Sequence, residues 1–295
     1  MNSVNTNIAA QVALQSLNAT NSQLQSTQKR ISTGYRVADA IDDGAAFAVA
    51  QRVRADVGAL TTVNQQLGNA KGLVGTAVTA LTSISDSFKE AKNLLVQIGD
   101  QGISQDQRDQ YVASYQALVT RVANTVDGST YNGQTLLGST VTGATAPTAV
   151  KVINNESGAQ STLSAEDNSA LANTLAGLIG LSFTRSTAGV DSCSGTAAQT
   201  AAVAALATGA GFDTAQTTLA GQLNQSSADS KFLDATISFN SSKIDSLNAG
   251  LGALIDADLS KESANLQALQ IKQQLGTQAL SLANQSPQSL LSLFK

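Results

Sequence analysis

The stretch VRADVGALTTVNQQLGNAKGLVGTAVTALTSISDSFKEAKNLLVQI, residues 53 to 98, sets the architecture of this chain because its apolar residues recur every seven positions. Sevenfold spacing aligns side chains along one stripe of an α-helix and is typical of helices that pack side by side. Asp56 is the one interruption of the second row, and Gly99 ends the helix, which at about 55 residues would be about 80 Å long. The first row is Val53, Leu60, Leu67, Val74, Leu81, Phe88 and Leu95, and the second is Val63, Ala70, Ala77, Ile84, Ala91 and Ile98.

The segment before the long helix is predicted to be a helix with a defined end. Gly34 suits its C-terminus because glycine readily takes the left-handed conformation that ends many helices. Asp42 or Asp43 would then cap the long helix. Asn21 or Gln28, polar residues of the first helix, would fix its register against a partner helix. Its apolar residues are again seven apart: Leu17, Leu24 and Ile31.

Three more long helices are predicted after the first stretch. Ser104-Gln105-Asp106-Gln107 is typical of a capping box, and the helix that it begins would stop at Asp127-Gly128. Another helix runs from about residue 213 to 254, and a C-terminal helix follows Asp256-Ala257-Asp258. The helix at 213–254 has one sevenfold row, Leu223, Ile237, Ile244 and Leu251. The C-terminal helix has two rows: Leu259, Leu266 and Leu280, and Leu269, Gly276, Ala283 and Leu290.

The region from 140 to 212 lacks this spacing and is rich in Gly, Ser, Thr and Ala. Just before it, Asn132-Gly133 predicts a tight hairpin turn. Within it we expect a strand at Val150–Ile153 and short helices at 169–179 and 197–208. The region is therefore predicted to be an exposed insertion, and deleting residues 155 to 205 is expected to leave the helical assembly intact.

The two ends of the chain share one chemistry. Residues 1 to 28 and 273 to 294 contain no charged side chain and are rich in Asn, Gln, Ser and Thr. A solvated helix normally carries charges on its outer face, whereas an amide can be satisfied inside a protein by hydrogen bonds alone. We expect the ends to meet in space and to fold only when neighbouring subunits cover them.

Composition excludes several classes of function. The net charge of −4 disfavours nucleic acid as a partner. The chain has no His, so the commonest general base and metal ligand are absent. Its one cysteine, Cys193, is expected to be a small buried residue. No segment has the length and apolarity of a transmembrane helix or a signal peptide, so no membrane insertion is expected. No metal or cofactor is expected either, because the chain has no His and only one Cys.

Motifs at both ends resemble those of bacterial flagellins, most closely the alphaproteobacterial type. Val4-Asn5-Thr6-Asn7 stands near the start, and Lys29 to Val37 resembles the family's Arg-Leu-Ser-Ser-Gly stretch. Ala40 to Ala50 is similar to its Ala-x-Asp-Asp-Ala-Ala-Gly-x-Ala-Ile-Ala motif, and Tyr131-Asn132-Gly133 stands in place of Phe-Asn-Gly. Asp256-Ala257-Asp258, Gln270-Ile271 and Ala283-Asn284-Gln285 match the far end. The resemblance covers residues 1 to 139 and 215 to 295.

The resemblance implies a mainly α-helical, non-enzymatic subunit of an extracellular filament, with a long antiparallel coiled-coil-like bundle, paired terminal helices, a short β-hairpin and a small α+β outer insertion. Residues 1–40 with 255–295 would form the inner tube, 41–139 with 213–254 the long-helix core, and 140–212 the outer domain. Implied partners are further copies, other flagellins, hook-associated proteins, an export chaperone at the C-terminal segment and the flagellar type III export apparatus, which needs no cleaved signal peptide. The candidate polymerisation residues are Leu17, Leu24, Ile31, Leu259, Leu266, Leu269, Leu280, Asn284 and Leu290.

Other functions remain open at this point. A related axial protein at the hook–filament junction would share the terminal pattern, and a helical sensor or adhesin would share the heptads. An enzyme would need two carboxylates in different environments facing one pocket. The pairs Asp42 with Asp43 and Asp256 with Asp258 are better interpreted as helix caps or loop residues.

Overall fold

The computed structural model describes residues 7–142, 147–189, 191–195, 197–207 and 209–293, and side chains are described in these ranges except at 193–195 and 286–293. The described chain is mainly helical, as the sequence predicts, and it contains two small antiparallel strand pairs. In chain order the elements are α1 (Ile8–Thr33), α2 (Gly44–Gly99), α3 (Gln105–Gly128), β1 (Val150–Ile153), β2 (Gln160–Leu163), α4 (Leu171–Gly177), β3 (Leu181–Arg185), β4 (Asp191–Gly195), α5 (Ala198–Leu206), α6 (Gly211–Ile255) and α7 (Leu259–Leu293).

The predicted helix ends are confirmed. Gly34 ends α1 in the left-handed conformation, with φ of 74°. Asp43 caps α2, because its Oδ1 accepts hydrogen bonds from the backbone N–H groups of Ala45 and Ala46. Ser104 and Gln107 form the capping box of α3. Caps of this kind satisfy backbone donors that have no partner inside the helix.

The chain divides into two compact units. The terminal unit comprises Met1–Gly58 with Ile244–Lys295, and the central unit comprises Ala59–Lys243. The helices α2 and α6 each contribute residues to both units. The division of the chain into inner tube, core and outer domain therefore stays a prediction.

The first sevenfold row of α2 lies in the core of the central unit. From Leu60 to Leu95 every member is at most 2% exposed, whereas Val53, in the terminal unit, is half-buried. On α6, Leu223, Ile237, Ile244 and Leu251 are all half-buried. The buried α6 residues of the central unit form a different, partly polar row: Phe212, Ala215, Leu219, Gln222, Ser226, Leu233 and Asn240.

The predicted Asn-Gly turn forms a tight bridge after α3. Tyr131 and Gln134 exchange two backbone hydrogen bonds of 2.8 and 3.0 Å. Asn132 and Gly133 have φ values of 50° and 74°, the left-handed pair that a type I′ turn requires. The Tyr131 ring packs over Gly72 of α2, where an added Cβ would lie 2.7 Å from the ring.

The region 140–212 contains more sheet than the sequence predicts. The predicted strand β1 pairs with β2, and β3 pairs with β4, as two antiparallel hairpins. Leu181 and Phe183 of β3 point inward at 5% and 6% exposure, while Ser182 and Thr184 are exposed. This alternation is a period-two signal that sequence reasoning passed over. The short helices are confirmed as α4 and α5.

The insertion shares its hydrophobic core with the long helices. Leu175, Ile179 and Phe183 belong to the same buried cluster as the α2 row from Leu67 to Leu95. Tyr115 of α3, fully buried, donates a 2.8 Å hydrogen bond from its hydroxyl to the backbone carbonyl of Leu175. Burial raises the pKa of that hydroxyl, so it remains a donor. These shared contacts argue against the expectation that deleting residues 155 to 205 leaves the helical assembly intact, because the deletion would remove part of the common core.

Candidate assembly interface

The two terminal helices pair within one chain and run antiparallel. Asn7 Nδ2 donates to the carbonyl oxygen of Ala283 at 2.8 Å, so the start of α1 lies beside the far part of α7. Further along, a Cβ added to Gly276 would lie 3.2 Å from Leu17 Cδ1. On each helix a row of half-buried or buried positions alternates three and four residues apart, as in a coiled coil. They are Ala10, Ala13, Leu17, Thr20, Leu24, Thr27 and Ile31 on α1, and Glu262, Leu266, Leu269, Gln273, Gly276, Leu280 and Ala283 on α7.

Most of the predicted polymerisation residues lie in these rows, which we call the α1–α7 seam. Leu269 is 8% exposed. Leu259, by contrast, is 49% exposed, Asn284 is exposed, and the side chain of Leu290 lies outside the described residues. The half-buried members are Leu17, Leu24, Ile31, Leu266 and Leu280. The structure thus brings together six of the nine predicted residues within one subunit.

Polar contacts fix the register of the seam. Asn21 Oδ1 accepts a hydrogen bond of 2.8 Å from Gln273 Nε2, as its polar position predicts. Gln28 is exposed and takes no part. Arg30 Nη1 contacts Glu262 Oε1 at 3.2 Å, and Glu262 is 8% exposed. A buried charge is costly without a partner, so this ion pair disfavours other registers of α1 against α7.

A second set of apolar residues lies on the outer faces of the terminal helices. Ile8 and Val12 of α1 are 63% and 61% exposed. On α7, Ile271, Leu275 and Leu282 are 58%, 57% and 71% exposed. At about 100° per residue, these α7 positions lie on the side of the helix opposite Leu269. Sequence reasoning missed this set because it followed sevenfold rows, although 271, 275 and 282 have a helical spacing of their own.

The connectors at the base of α1 and α7 are joined to each other. Arg36 N donates to the Ile255 carbonyl at 2.7 Å, and Ala257 N donates to the Gly34 carbonyl at 2.9 Å. A small cluster of Val37, Ala46, Ala50 and Ile255 is buried beside them. The C-terminal end of α1 and the start of α7 are therefore held together at one point.

The candidate carboxylate pairs hold backbone at these connectors. Asp258 Oδ1 accepts from the N–H groups of Ser260 and Lys261 at the start of α7. Asp256 forms an antiparallel bridge with Tyr35. The interpretation of these aspartates as cap and loop residues agrees with the contacts that they make.

The turn between α1 and α2 is held by one lysine and two aspartates. Lys29 Nζ contacts Asp39 Oδ2 at 2.6 Å and Asp42 Oδ2 at 2.9 Å. The hydrogen bond from Lys29 holds the pKa of both carboxyls below the ordinary value of 3.8. The same hydrogen bonds, that of Asp39 foremost, raise the pKa of Lys29. The charged carboxylates thus stabilise the turn at pH above 3.8, and this contribution is lost as the pH falls below that value through the lowered pKa values.

Replacing the lysine tests this arrangement. In Lys29→Met we expect the pKa of Asp39 and of Asp42 to rise, because the hydrogen-bond donor that favours their charged forms is gone. Carbon-13 NMR titration of the side-chain carboxyls measures both values. Lys89→Met is the matched control, since Lys89 pairs with Asp86 elsewhere. Unchanged titration midpoints in Lys29→Met would show that Lys29 does not hold the turn.

Two family models match the chain. The bacterial flagellin N-terminal helical region matches residues 4–142, and the bacterial flagellin C-terminal helical region matches residues 211–294. Together they cover α1 to α3 and α6 to α7, and they leave the hairpins and short helices between them unmatched.

Relatives match over their whole length. Flagellin FljM of Caulobacter vibrioides is 35% identical over 295 residues, covering 100% of this chain and 99% of the relative. A flagellin of Brucella melitensis is 36% identical and both chains are covered completely. The crystal structure of Bacillus cereus flagellin, at 16% identity and a TM-score of 0.34 over 68% of this chain and 94% of that one, is too distant to inform the fold. The chain therefore belongs to the bacterial flagellin family, and it is a structural subunit of the flagellar filament.

Proposed function

We propose that this flagellin polymerises through the outer faces of α1 and α7, while the α1–α7 seam pairs the two helices inside each subunit. The supporting observation is that Ile8, Val12, Ile271, Leu275 and Leu282 remain more than half exposed after the seam has formed. These faces belong to segments with hardly any charge, so other protein can cover them without burying unpaired ions.

The two outer faces differ in sequence, which bears on the kind of assembly. A contact between unlike surfaces of identical subunits leaves a free surface at each end, so it grows as an open helix unless the rotation closes a ring. A filament subunit needs such a contact. The faces also carry glutamines such as Gln267, Gln274 and Gln278, whose amides can hydrogen-bond with a neighbouring subunit.

The proposal also assigns each segment of the chain a position in the filament. Residues 1–40 with 255–295 form the inner tube, residues 41–139 with 213–254 surround it, and residues 140–212 face outside. Free subunits present the uncovered apolar faces to water, which supports a requirement for an export chaperone at the C-terminal segment. We further propose export by the flagellar type III apparatus without a cleaved signal peptide, contact with hook-associated proteins, and no enzymatic role. Among the described residues, no helix is long and apolar enough to cross a membrane.

A single substitution on the outer face of α7 tests the proposed interface. Leu275→Gln removes an apolar side chain whose burial is worth about 1.5–3 kcal/mol. We expect the critical concentration for filament growth to rise about tenfold or more, since about 1.4 kcal/mol corresponds to a factor of ten. Pelleting of seeded filaments over a range of protein concentrations measures it.

Ser281→Gln is the matched control, because it places the same residue at an exposed position of the same helix without removing an apolar group. Circular dichroism of the free subunits checks that both variants keep the helical content of the parent. Equal critical concentrations in the two variants would contradict an interface at this face.

A further inference from the structure

Ile41 occupies the tip of the turn between α1 and α2 and is 94% exposed, more than any other large apolar residue that the structure describes. Its side chain therefore adds almost nothing to the stability of the isolated chain. One exposed apolar residue on a surface is ordinary. The turn that carries Ile41, however, is held by several hydrogen bonds and ion pairs.

The backbone of the turn is held on both sides of Ile41. Asp39 Oδ1 accepts from the N–H groups of Ile41 and Asp42 at 2.9 and 3.1 Å. Asp42 Oδ2 in return accepts from Ala38 and Asp39 at 3.0 and 3.3 Å. Lys29 of α1 contacts both carboxylates and so ties the turn to the helix. Ile41 is thus presented in a fixed position, and a partner does not need to order the turn on binding.

The size of the exposed group narrows the kind of partner. One isoleucine side chain covers far less area than the roughly 1,200 Å² that a stable protein complex buries. Ile41 can therefore act only as one element of a larger contact. This chain has such a contact, because it assembles into a filament, and the turn follows directly after α1. A second copy of the chain is the partner that these facts favour.

We propose that Ile41 is an anchor at a contact between subunits, where it inserts into an apolar recess of a second copy. The Lys29–Asp39–Asp42 turn presents the side chain before contact is made. This inference rests on the proposed assembly function and adds to it a contact outside α1 and α7.

A charge placed at the tip tests the proposal. We expect Ile41→Asp to raise the critical concentration of seeded assembly about tenfold or more relative to Ala40→Asp. Ala40 is the neighbouring exposed residue, so this control adds the same charge to the same turn without removing the isoleucine. Both free subunits should keep the helical content and melting temperature of the parent.

A photo-reactive benzoylphenylalanine at position 41 identifies the partner. Illumination of filaments should yield a covalent adduct of two chains, and the same group at position 40 should yield much less. Equal critical concentrations for the two charge variants, or equal adduct yields at the two positions, would overturn the proposal. Failure of the parent protein to extend filament seeds would count instead against the proposed assembly function.

Discussion

Removing α7, Leu259–Leu293, is expected to abolish filament growth and to leave the central unit folded. Without α7, the seam residues of α1 have no helix to pack against. The outer face of α7 is removed with the helix, and the outer face of α1 loses its support. An isolated helix of 26 residues with hardly any charge has too little stability of its own in water. The buried cluster of the central unit contains no residue of α7.

Electron microscopy after seeding measures the first effect, and a thermal unfolding curve measures the second. The full-length Ser281→Gln variant is a suitable control, because it changes an exposed polar residue of α7 and keeps both faces. Filaments of normal length from the truncated chain would show that the terminal helices do not carry assembly.

Deleting residues 155 to 205 is expected to unfold the central unit, contrary to what the sequence pattern indicates. The deletion removes fully or nearly fully buried residues, including Leu163, Leu175, Ile179 and Phe183. At about 1.5–3 kcal/mol each, these four account for about 6–12 kcal/mol of burial. A domain's total stability is about 5–15 kcal/mol, so the remaining core should not stay folded.

Circular dichroism and limited proteolysis of the purified variant measure the loss. A control that shortens only the β3–β4 turn, residues 186–189, removes exposed or half-buried residues and should leave the central unit folded. Tyr115→Phe removes only the hydrogen bond to the Leu175 carbonyl, which still accepts from Leu178 N–H, so a cost of about 0.5–1.5 kcal/mol is expected. A deletion variant with the melting temperature of the parent would restore the view of 140–212 as an independent insertion.

Much of the helical architecture could be predicted from the sequence because its signals are local. The sevenfold row of α2 and the caps at Gly34, Asp43 and Ser104 depend on residues only a few positions apart. The strands β2 to β4 were harder to predict, since four or five residues carry little periodic signal and each needs its partner strand to be stable.

The candidate interface was predictable only in part. The uncharged ends and the rows through Leu17 and Leu269 indicated that the terminal helices pair. The same rows did not distinguish the contact within a subunit from the contact between subunits. Leu275 and Ile41 lie off those rows, and their exposure depends on what the rest of the chain covers.

The sequence by itself determined that this protein is built of long helices, that its two ends share one chemistry, and where the helices start and stop. Only the tertiary structure decided which apolar residues the chain covers and which it leaves exposed. Helical period places residues on a stripe, but burial depends on contacts between residues as far apart in the chain as Asn7 and Ala283. Contacts between distant residues also join the insertion to the core, as between Tyr115 of α3 and Leu175. No local sequence pattern relates these two residues.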